Sequence, residues 1–359
     1  MFSKVLIANR GEIAVRVIRA CKEMGISTVA VYSKADESSL HVALADQSVC
    51  IGEAPASESY LNGGRIVSAA LVTRAQAIHP GYGFLSENAE FVKLCETSGV
   101  EFIGPPAAVI AKMGDKDEAR RMMSGAGVPV IPGTGVLRDV PAAIEAAAGI
   151  GYPVMIKARS GGGGRGIRVV GGPGEMERAF SAAAREAAEA FGDGALYIEK
   201  RIYPARHIEV QLLCDEAGTA LCLYERECSA QKNNQKTLEE SPSPAVTPET
   251  RERLCAAAVA AARAAGYRTA GTVEFLLDGD GNFYFMEMNV RLQVEHAVTE
   301  QVTGIDIVKW QIRVAAGVPL GFGQETIALN GHSFTCRLNP TAPGSGTFLH
   351  VPGGPRVRL

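Results

Sequence analysis

With 359 residues, 47% of them hydrophobic, the chain is long enough to bury more than one core, which predicts two or three domains. Its formal net charge of −3, without a run of lysine or arginine, argues against a nucleic-acid-binding protein. The sequence has neither a signal-peptide pattern nor an apolar stretch of membrane-spanning length, so neither secretion nor a membrane partner is predicted.

The first part of the chain predicts a β-α-β unit. Residues 4–8 are an apolar run typical of a buried strand, residues 12–24 predict a helix, and residues 28–33 predict a second strand. Further apolar runs follow at 76–78 and 100–103. This order predicts a parallel, Rossmann-like sheet over roughly the first hundred residues. The turn after the first strand lacks G-x-G-x-x-G, so dinucleotide binding is not predicted.

The middle of the chain predicts a different architecture. Prolines and a glycine bound a connecting helix predicted over residues 105–130. Three strands and an alanine-rich helix follow, and beyond residue 206 the pattern is rich in strands, interrupted by one amphipathic helix. The predicted strands are 153–158, 167–170 and 195–199, and the predicted helices are 174–191 and 249–265.

Lys157 stands just before a glycine-rich loop, residues 160–166, that joins two predicted strands. Consecutive glycines let backbone N–H groups approach phosphate oxygens without obstruction by Cβ atoms, and nearby cations add charge. A P-loop joins a strand to a helix and carries G-K-[S/T], so this loop is not one. The alternative is a simple hairpin turn. Because four successive glycines cost stability, we favour a flexible flap over a nucleotide.

A β-hairpin is predicted from two apolar strands, residues 272–277 and 283–289. Asp280-Gly281 between them favours a two-residue turn. The intervening Asp-x-Asp-x-Asn stretch begins like an EF-hand calcium loop, but it lacks the required glycine and the final glutamate. The stretch is therefore interpreted as a hairpin turn.

The register of this hairpin predicts a metal site. The two-residue turn pairs residue 279 with residue 282, and counting outward places Glu274 directly opposite Glu287, with Asn289 on the same face. Like charges facing each other destabilise a ladder unless something binds between them. Hard oxygen ligands beside phosphates fit Mg²⁺. The alternative is a solvated strand face, because a one-residue slip in register removes the pairing.

The sequence RLQVEH at 291–296 directly follows the predicted metal strand. An arginine and a glutamate close to bound phosphates can orient an anion and accept a proton, which makes Arg291 and Glu295 candidate catalytic residues. His296 is interpreted as an ordinary surface or core histidine.

The chain has eight cysteines and no C-x-x-C pair, so neither a zinc site nor a disulfide scaffold is predicted. Free thiols are typical of a reducing, cytoplasmic environment. Cys228 is a candidate nucleophile, but no histidine stands in a recognisable partner motif, and a buried structural thiol is favoured.

Six longer stretches together resemble the signature sequences of the biotin carboxylase family. They are IANRGEIAVRVIRACKEMGI (7–26), HPGYGFLSEN (79–88), MGDK (113–116), IKARSGGGGRGIRVV (156–170), ERECSAQ (225–231) and FMEMNVRLQVEHAVTE (285–300). The resemblance implies an α/β and α+β protein, with an ATP-grasp fold preceded by a Rossmann-like N-terminal domain. It also implies a ligase in which ATP phosphorylates bicarbonate to carboxyphosphate, and the carboxyl group then passes to the ureido nitrogen of biotin.

The resemblance divides the chain into four segments. Residues 1–112 are the Rossmann-like domain, 113–130 a connecting helix, 131–202 a lid that carries the glycine loop, and 203–359 an incomplete catalytic domain. The implied partners are a biotin carboxyl carrier protein or domain, a carboxyltransferase and a second copy of the chain. The dimer contacts would lie on the first helix, at Arg16, Arg19 and Glu23; the alternative for these charges is a solvated face.

Site residues follow from the same resemblance. The implied ATP-binding residues are Lys116, Lys157, Gly162, Gly163, Gly164, Glu199, Lys200, His207 and Gln231. The implied ligands of Mg²⁺, or alternatively Mn²⁺, are Glu274, Glu287 and Asn289. The bicarbonate pocket is implied at Lys236, Arg291, Gln293, Val294 and Glu295, with Glu295 as the general base. Arg337 would stabilise the enolate-like oxygen of biotin. Lys236, Arg291, Glu295 and Arg337 are thus the implied catalytic residues.

The sequence departs from the family pattern at three places. A nucleotide-side histidine is replaced by Asn234, a glutamate two residues before Arg337 is replaced by Thr335, and the segment 339–344 is shortened before the chain stops at Leu359. The last two departures lie beside the expected biotin pocket, so phosphate release is expected to exceed carboxybiotin formation. They also leave open a ligase for a different acceptor, or a catalytically weak regulatory subunit.

Overall fold

The computed structural model describes residues 1–160, 166–233 and 235–337. Its first part is a five-stranded parallel sheet in the order β3-β2-β1-β4-β5, which confirms the predicted Rossmann-like unit. The strands are β1 (Lys4–Ile7), β2 (Ser27–Ser33), β3 (Gln47–Gly52), β4 (Ala77–His79) and β5 (Glu101–Phe102). The helices around it are α1 (Gly11–Glu23), α2 (Leu40–Leu44), α3 (Gly63–Thr73) and α4 (Ala89–Thr97), with short 3₁₀ turns at Lys34–Asp36 and Ala56–Glu58.

The connection to the next part consists of two helices, α5 (Ala107–Gly114) and α6 (Lys116–Gly125), so the prediction of a single connecting helix is wrong. Asp115 separates them. Its Oδ1 accepts hydrogen bonds of 2.9 Å from the backbone N–H groups of Asp117 and Glu118, which starts a new helix at Lys116.

A small antiparallel sheet follows, in the order β7-β6-β8. It consists of β6 (Val154–Ala158), β7 (Ile167–Val170) and β8 (Leu196–Lys200), and it is covered by α7 (Val140–Ile150) and α8 (Pro173–Phe191). The two helices pack alanines and Phe180 against Val154, Ile156 and Ile198, which form a separate hydrophobic core.

The largest sheet has six strands in the order β13-β12-β9-β10-β11-β14. The strands are β9 (Ala205–Cys214), β10 (Ala220–Lys232), β11 (Gln235–Ser241), β12 (Thr269–Asp278), β13 (Phe283–Asn289) and β14 (Ser333–Cys336). The remaining helices are α9 (Pro248–Ala265), α10 (His296–Thr303) and α11 (Ile307–Ala315), with a 3₁₀ turn at Gln324–Thr326. Helix α9 packs on one face of the sheet, and α11 packs near Leu213 and Ala270 on the other. The antiparallel sheets after a parallel one confirm the expected α/β and α+β class.

Cys222 on β10 forms a disulfide with Cys255 on α9, so the expectation of free thiols is wrong for this pair. Their separation of 33 residues shows no local spacing signal. The other six cysteines are free. Among the described residues, no helix combines the length and apolar character needed to cross a membrane.

Candidate active site

The β12–β13 hairpin brings Glu274 opposite Glu287, as the sequence predicts. The predicted turn is nevertheless wrong by one residue, because Leu277 pairs with Phe283 and the N–H of Asp278 donates to the carbonyl of Asn282 over 2.9 Å. An irregularity between the Phe275–Phe285 and Glu274–Glu287 pairs inserts one extra residue, Met286, and restores the register.

Three glutamates from neighbouring strands lie side by side across the large sheet. Glu209 on β9 pairs with Glu274 on β12, which pairs with Glu287 on β13. Such a row of carboxylates requires compensating positive charge. The ammonium of Lys236 supplies it at one end: its Nζ lies 2.6 Å from Glu209 and 2.9 Å from Glu274.

Glu274 is buried and accepts four hydrogen bonds. Its Oε2 lies 2.7 Å from Nε2 of His207, and its Oε1 accepts from Lys236, from Asn289 at 2.8 Å and from Gln293 at 3.0 Å. Burial alone would raise the pKa of Glu274, but the hydrogen bond from His207 and the charge of Lys236 lower it to about 2. Glu274 is therefore ionised throughout the physiological range.

Glu287 differs from Glu274 in its surroundings. Its carboxylate is exposed to a cleft of ≈ 380 Å³ and accepts no hydrogen bond from the described residues. Desolvation by the cleft walls, and then the neighbouring charge of Glu274, raise the pKa of Glu287. The cleft is also lined by Glu87, Lys116, Asn289 and Arg291. An anionic oxygen without a donor, facing a second carboxylate, fits the hard ligand set of Mg²⁺.

Glu295 stands just before α10 and is held by two cations. Its Oε1 accepts a hydrogen bond of 2.7 Å from Lys236, and its Oε2 accepts one of 2.7 Å from Nη2 of Arg337. Only 1% of Glu295 is exposed. The structure thus brings together three of the four predicted catalytic residues.

The fourth predicted catalytic residue, Arg291, lies two residues after the end of β13. Its Nε donates to Glu87 at 2.8 Å, and its Nη2 donates to Oδ1 of Asn289 at 3.0 Å. Its Nη1 donates to Oε1 of Gln293 at 3.0 Å. Nη1 also donates to the carbonyl oxygen of Leu292 at 3.1 Å. Because these four acceptors fix the guanidinium plane, Arg291 faces the cleft in one orientation. Val294, the remaining predicted bicarbonate-pocket residue, is half-buried beside Glu295.

The predicted nucleotide residues form two groups. Lys157 on β6 makes an ion pair with Glu199 on β8, while the ammonium of Lys200 donates to the carbonyl oxygens of Gly151 and Tyr152 at 2.8 and 3.1 Å. On the large sheet, Gln231 donates to Nδ1 of His207 at 2.9 Å. This leaves the ring proton on Nε2, directed at Glu274.

Several predictions concern residues outside the described ranges, namely Gly162, Gly163, Gly164, Asn234 and the segment 339–344. Two other predictions, for Cys228 and His296, concern residues inside the described ranges. Cys228 is fully buried, and desolvation raises the pKa of its thiol, as a structural cysteine requires. His296 is a buried core residue.

The three charged residues of α1 that were considered as dimer contacts make different interactions. Arg16 is largely buried and forms ion pairs within the chain, with Glu300 at 2.8 Å and with Asp306 at 2.6 Å. Glu23 pairs with Lys309 at 2.6 Å, whereas Arg19 is exposed. Arg16 is therefore part of the contact between α1 and the residues before α11.

The sequence analysis missed Arg226, which is fully buried next to Glu209. It pairs with Glu209, and its Nη1 donates to Gln211 and Thr299 at 2.8 Å each. The sequence did contain a signal for this pair, because charged residues stand inside the apolar runs of β9 and β10. Buried charges are normally paired, so these residues could have been predicted to contact each other.

Two family profiles match most of the chain. Residues 1–110 match "Biotin carboxylase, N-terminal domain", and residues 115–322 match "Carbamoyl-phosphate synthase L chain, ATP binding domain". The biotin carboxylase of Nostoc sp. is 53% identical over 100% of this chain and 82% of its own length. Biotin carboxylase 1 of Bacillus subtilis is 54% identical over 100% of this chain and 80% of its own length.

Solved structures give the same result. A biotin carboxylase–beta-gamma-ATP complex from Campylobacter jejuni is 51% identical with a TM-score of 0.88, over 94% of this chain and 76% of that one. The biotin carboxylase domain dimer of 2-oxoglutarate carboxylase from Hydrogenobacter thermophilus is 54% identical with a TM-score of 0.86, over 94% of this chain and 74% of that one. That dimer was solved with MgADP, ADP and bicarbonate.

A parallel sheet followed by two antiparallel sheets, with a carboxylate-lined cleft on the larger one, defines an ATP-grasp ligase. The chain belongs to the biotin carboxylase family. Its reaction is the ATP- and bicarbonate-dependent carboxylation of biotin, the first half-reaction of the biotin-dependent carboxylases, with Mg²⁺ as the metal.

Proposed function

We propose that Glu295 is the general base of this carboxylation and removes the proton of bicarbonate. Lys236 and Arg337 would hold the carboxylate of Glu295 in place. The observation that carries the proposal is that two cations share the carboxylate of Glu295. One oxygen forms an ion pair with Lys236 and the other with Arg337, both at 2.7 Å. A base held on both sides by cations keeps its lone pairs in a fixed direction. The same cations remain beside the anion once its proton has left.

The anion would lie between this group and the cleft. Arg291 presents a guanidinium oriented by Glu87, Asn289 and Gln293, which suits a planar carboxylate-like ligand. Arg337, on the other side of Glu295, would stabilise the negative oxygen that develops on biotin. The chain's own residues thus hold the anion, take its proton and balance the charge on the acceptor.

ATP with Mg²⁺ supplies the activated phosphoryl group. Glu287 and Asn289 face the cleft and Glu274 lies directly beside them, so these three residues would hold the metal. Lys116 lines the same cleft, and Lys157, Glu199, Lys200, His207 and Gln231 would contact the nucleotide.

We further propose that the four segments of the chain act as separate parts. Residues 131–202 have their own core and would be the lid over the nucleotide. The N-terminal domain at 1–112 and its connection at 113–130 would precede this lid, and the catalytic part would follow it from residue 203 onward. The expected setting is the cytoplasm. The expected partners are a biotin carrier protein or domain, a carboxyltransferase and a second copy of the chain, in line with the solved dimer and with a solved pyruvate carboxylase from Rhizobium etli.

The test is Glu295→Gln, assayed by bicarbonate-dependent phosphate release with and without free biotin. We expect at least about a hundredfold lower turnover, the usual contribution of a general base, with nucleotide affinity retained. Glu325→Gln, a change in the exposed 3₁₀ turn, serves as the control. Turnover of Glu295→Gln within a few-fold of the wild type would overturn the assignment.

A further inference from the structure

Arg337 forms a fork between two buried carboxylates. Its Nη2 donates to Glu295 at 2.7 Å, and its Nε donates to Oε1 of Glu239 at 3.2 Å. Glu239 lies on β11 and is 0% exposed. The guanidinium is therefore tied at one end to the proposed base and at the other to a second buried carboxyl group.

The second oxygen of Glu239 is unusual. Its Oε2 is buried and accepts no hydrogen bond from the residues that the structure describes. A buried anionic oxygen without a donor is costly, and protonation removes the cost. Of the two carboxyl groups hydrogen-bonded to Arg337, Glu239 is thus the one whose local contacts favour the neutral form, since both oxygens of Glu295 are satisfied by cations.

Charges from four neighbouring parts of the chain act on Glu239: Glu209 on β9, Lys236 on β11, Glu295 before α10 and Arg337 after β14. Desolvation raises the pKa of Glu239, the negative charge of Glu295 adds to this, and Arg337 lowers it, with a result of about 7. Both charge states are therefore populated near neutral pH.

We propose that Glu239 is a positioning residue that controls how much of the positive charge of Arg337 is available to the acceptor, and that loss of its proton weakens the carboxyl transfer. When Glu239 is ionised, the guanidinium lies between two anions, and less of its field reaches a third negative oxygen. When Glu239 is protonated, it still accepts from Nε through Oε1, and among the described residues Glu295 is then the remaining ion-pair partner of Arg337, with Glu12 on α1 as a further negative charge nearby. This inference rests on the proposed role of Arg337.

The test is the pH profile of Glu239→Gln, which keeps the shape of the protonated form without its ionisation. The ratio of variant to wild-type rate is measured for biotin-dependent carboxybiotin formation, because effects of pH common to both enzymes cancel in that ratio. We expect the ratio to rise roughly tenfold between about pH 6.5 and about pH 8.5, as the wild-type glutamate loses its proton. The same ratio for biotin-independent phosphate release should rise far less, because that step does not need the charge of Arg337 on the acceptor. Glu240→Gln is the matched control, because Glu240 is the next residue on β11 and, within the described ranges, its side chain bonds to His332 at the surface and to no group of the site.

A second variant keeps the test decisive if Glu239→Gln does not fold. Thr335 on β14 pairs directly with Glu239, so Thr335→Glu places a like charge opposite it. That charge should disfavour ionisation of Glu239 and shift the alkaline fall of the biotin-dependent rate to higher pH. A flat Glu239→Gln ratio in the biotin assay, or an unshifted Thr335→Glu profile, overturns the inference and leaves the function intact. Absence of any biotin-dependent product with the wild type would instead overturn the role of Arg337, and with it this inference.

Discussion

Replacement of Arg226 by methionine tests how the buried charges beside Lys236, a predicted catalytic residue, are stabilised. Arg226 is fully buried and donates hydrogen bonds to Glu209, Gln211, Thr272 and Thr299, which belong to two strands and a helix. Methionine fills a similar volume but leaves Glu209 with Lys236 as its remaining cation. Removing one partner of a buried ion pair costs about 3–5 kcal/mol, because an uncompensated charge stays behind.

That loss is a large share of the about 5–15 kcal/mol that stabilises a folded protein. The free energy of unfolding is measured by urea denaturation, followed through Trp310, the single tryptophan. With an m-value of about 3 kcal/mol/M, the midpoint should fall by about 1–1.7 M.

Arg251→Met is the matched control for this measurement. Arg251 forms two hydrogen bonds with Glu225 on β10, at 2.8 and 2.7 Å, but its side chain is 19% exposed. Water can replace part of the lost interaction, so a decrease of about 1–2 kcal/mol is expected. Equal losses for the two variants would refute the reasoning that burial determines the cost.

Two further predictions concern the nucleotide. Glu287→Gln should abolish ATP turnover, because a metal ligand is lost. Stability should be retained, because this carboxylate accepts no hydrogen bond from the described residues. Near-normal turnover at saturating Mg²⁺ would contradict the role of Glu287 as a metal ligand. Hydrogen exchange in peptides covering β6 and β7 should slow when ATP is added, because a closing lid protects its inner strands, and equal exchange in both states would exclude closure.

The predicted elements agree with the structure where the sequence pattern is local. The β-α-β start and the β12–β13 strands were visible as apolar runs, and Glu274 and Glu287 were found because the hairpin pairs neighbours in sequence. The break at Asp115 was missed, although Asp115 followed by Glu118 is a recognisable helix start.

Long-range pairing was not accessible in the same way. Glu209, Arg226 and Glu239 come from three strands whose registers contain irregularities on β10, so counting along the chain does not show which of them meet. The Cys222–Cys255 bond was missed for a similar reason, because spacing alone does not specify a pairing. Physical proximity in these cases is set by the sheet order and not by the sequence pattern.

The extra residue at Met286 separates the tip of the β12–β13 hairpin from the carboxylates of Glu274 and Glu287, so the length of the turn does not determine their pairing. Glu274 is held from the other side by β9, where it pairs with Glu209, so its position does not depend on the turn. Residues 278–282 lie beyond the irregularity and are largely exposed. This tip is therefore a suitable place to insert a peptide tag or a fluorescent reporter, because a change in loop length there leaves the carboxylate row in register.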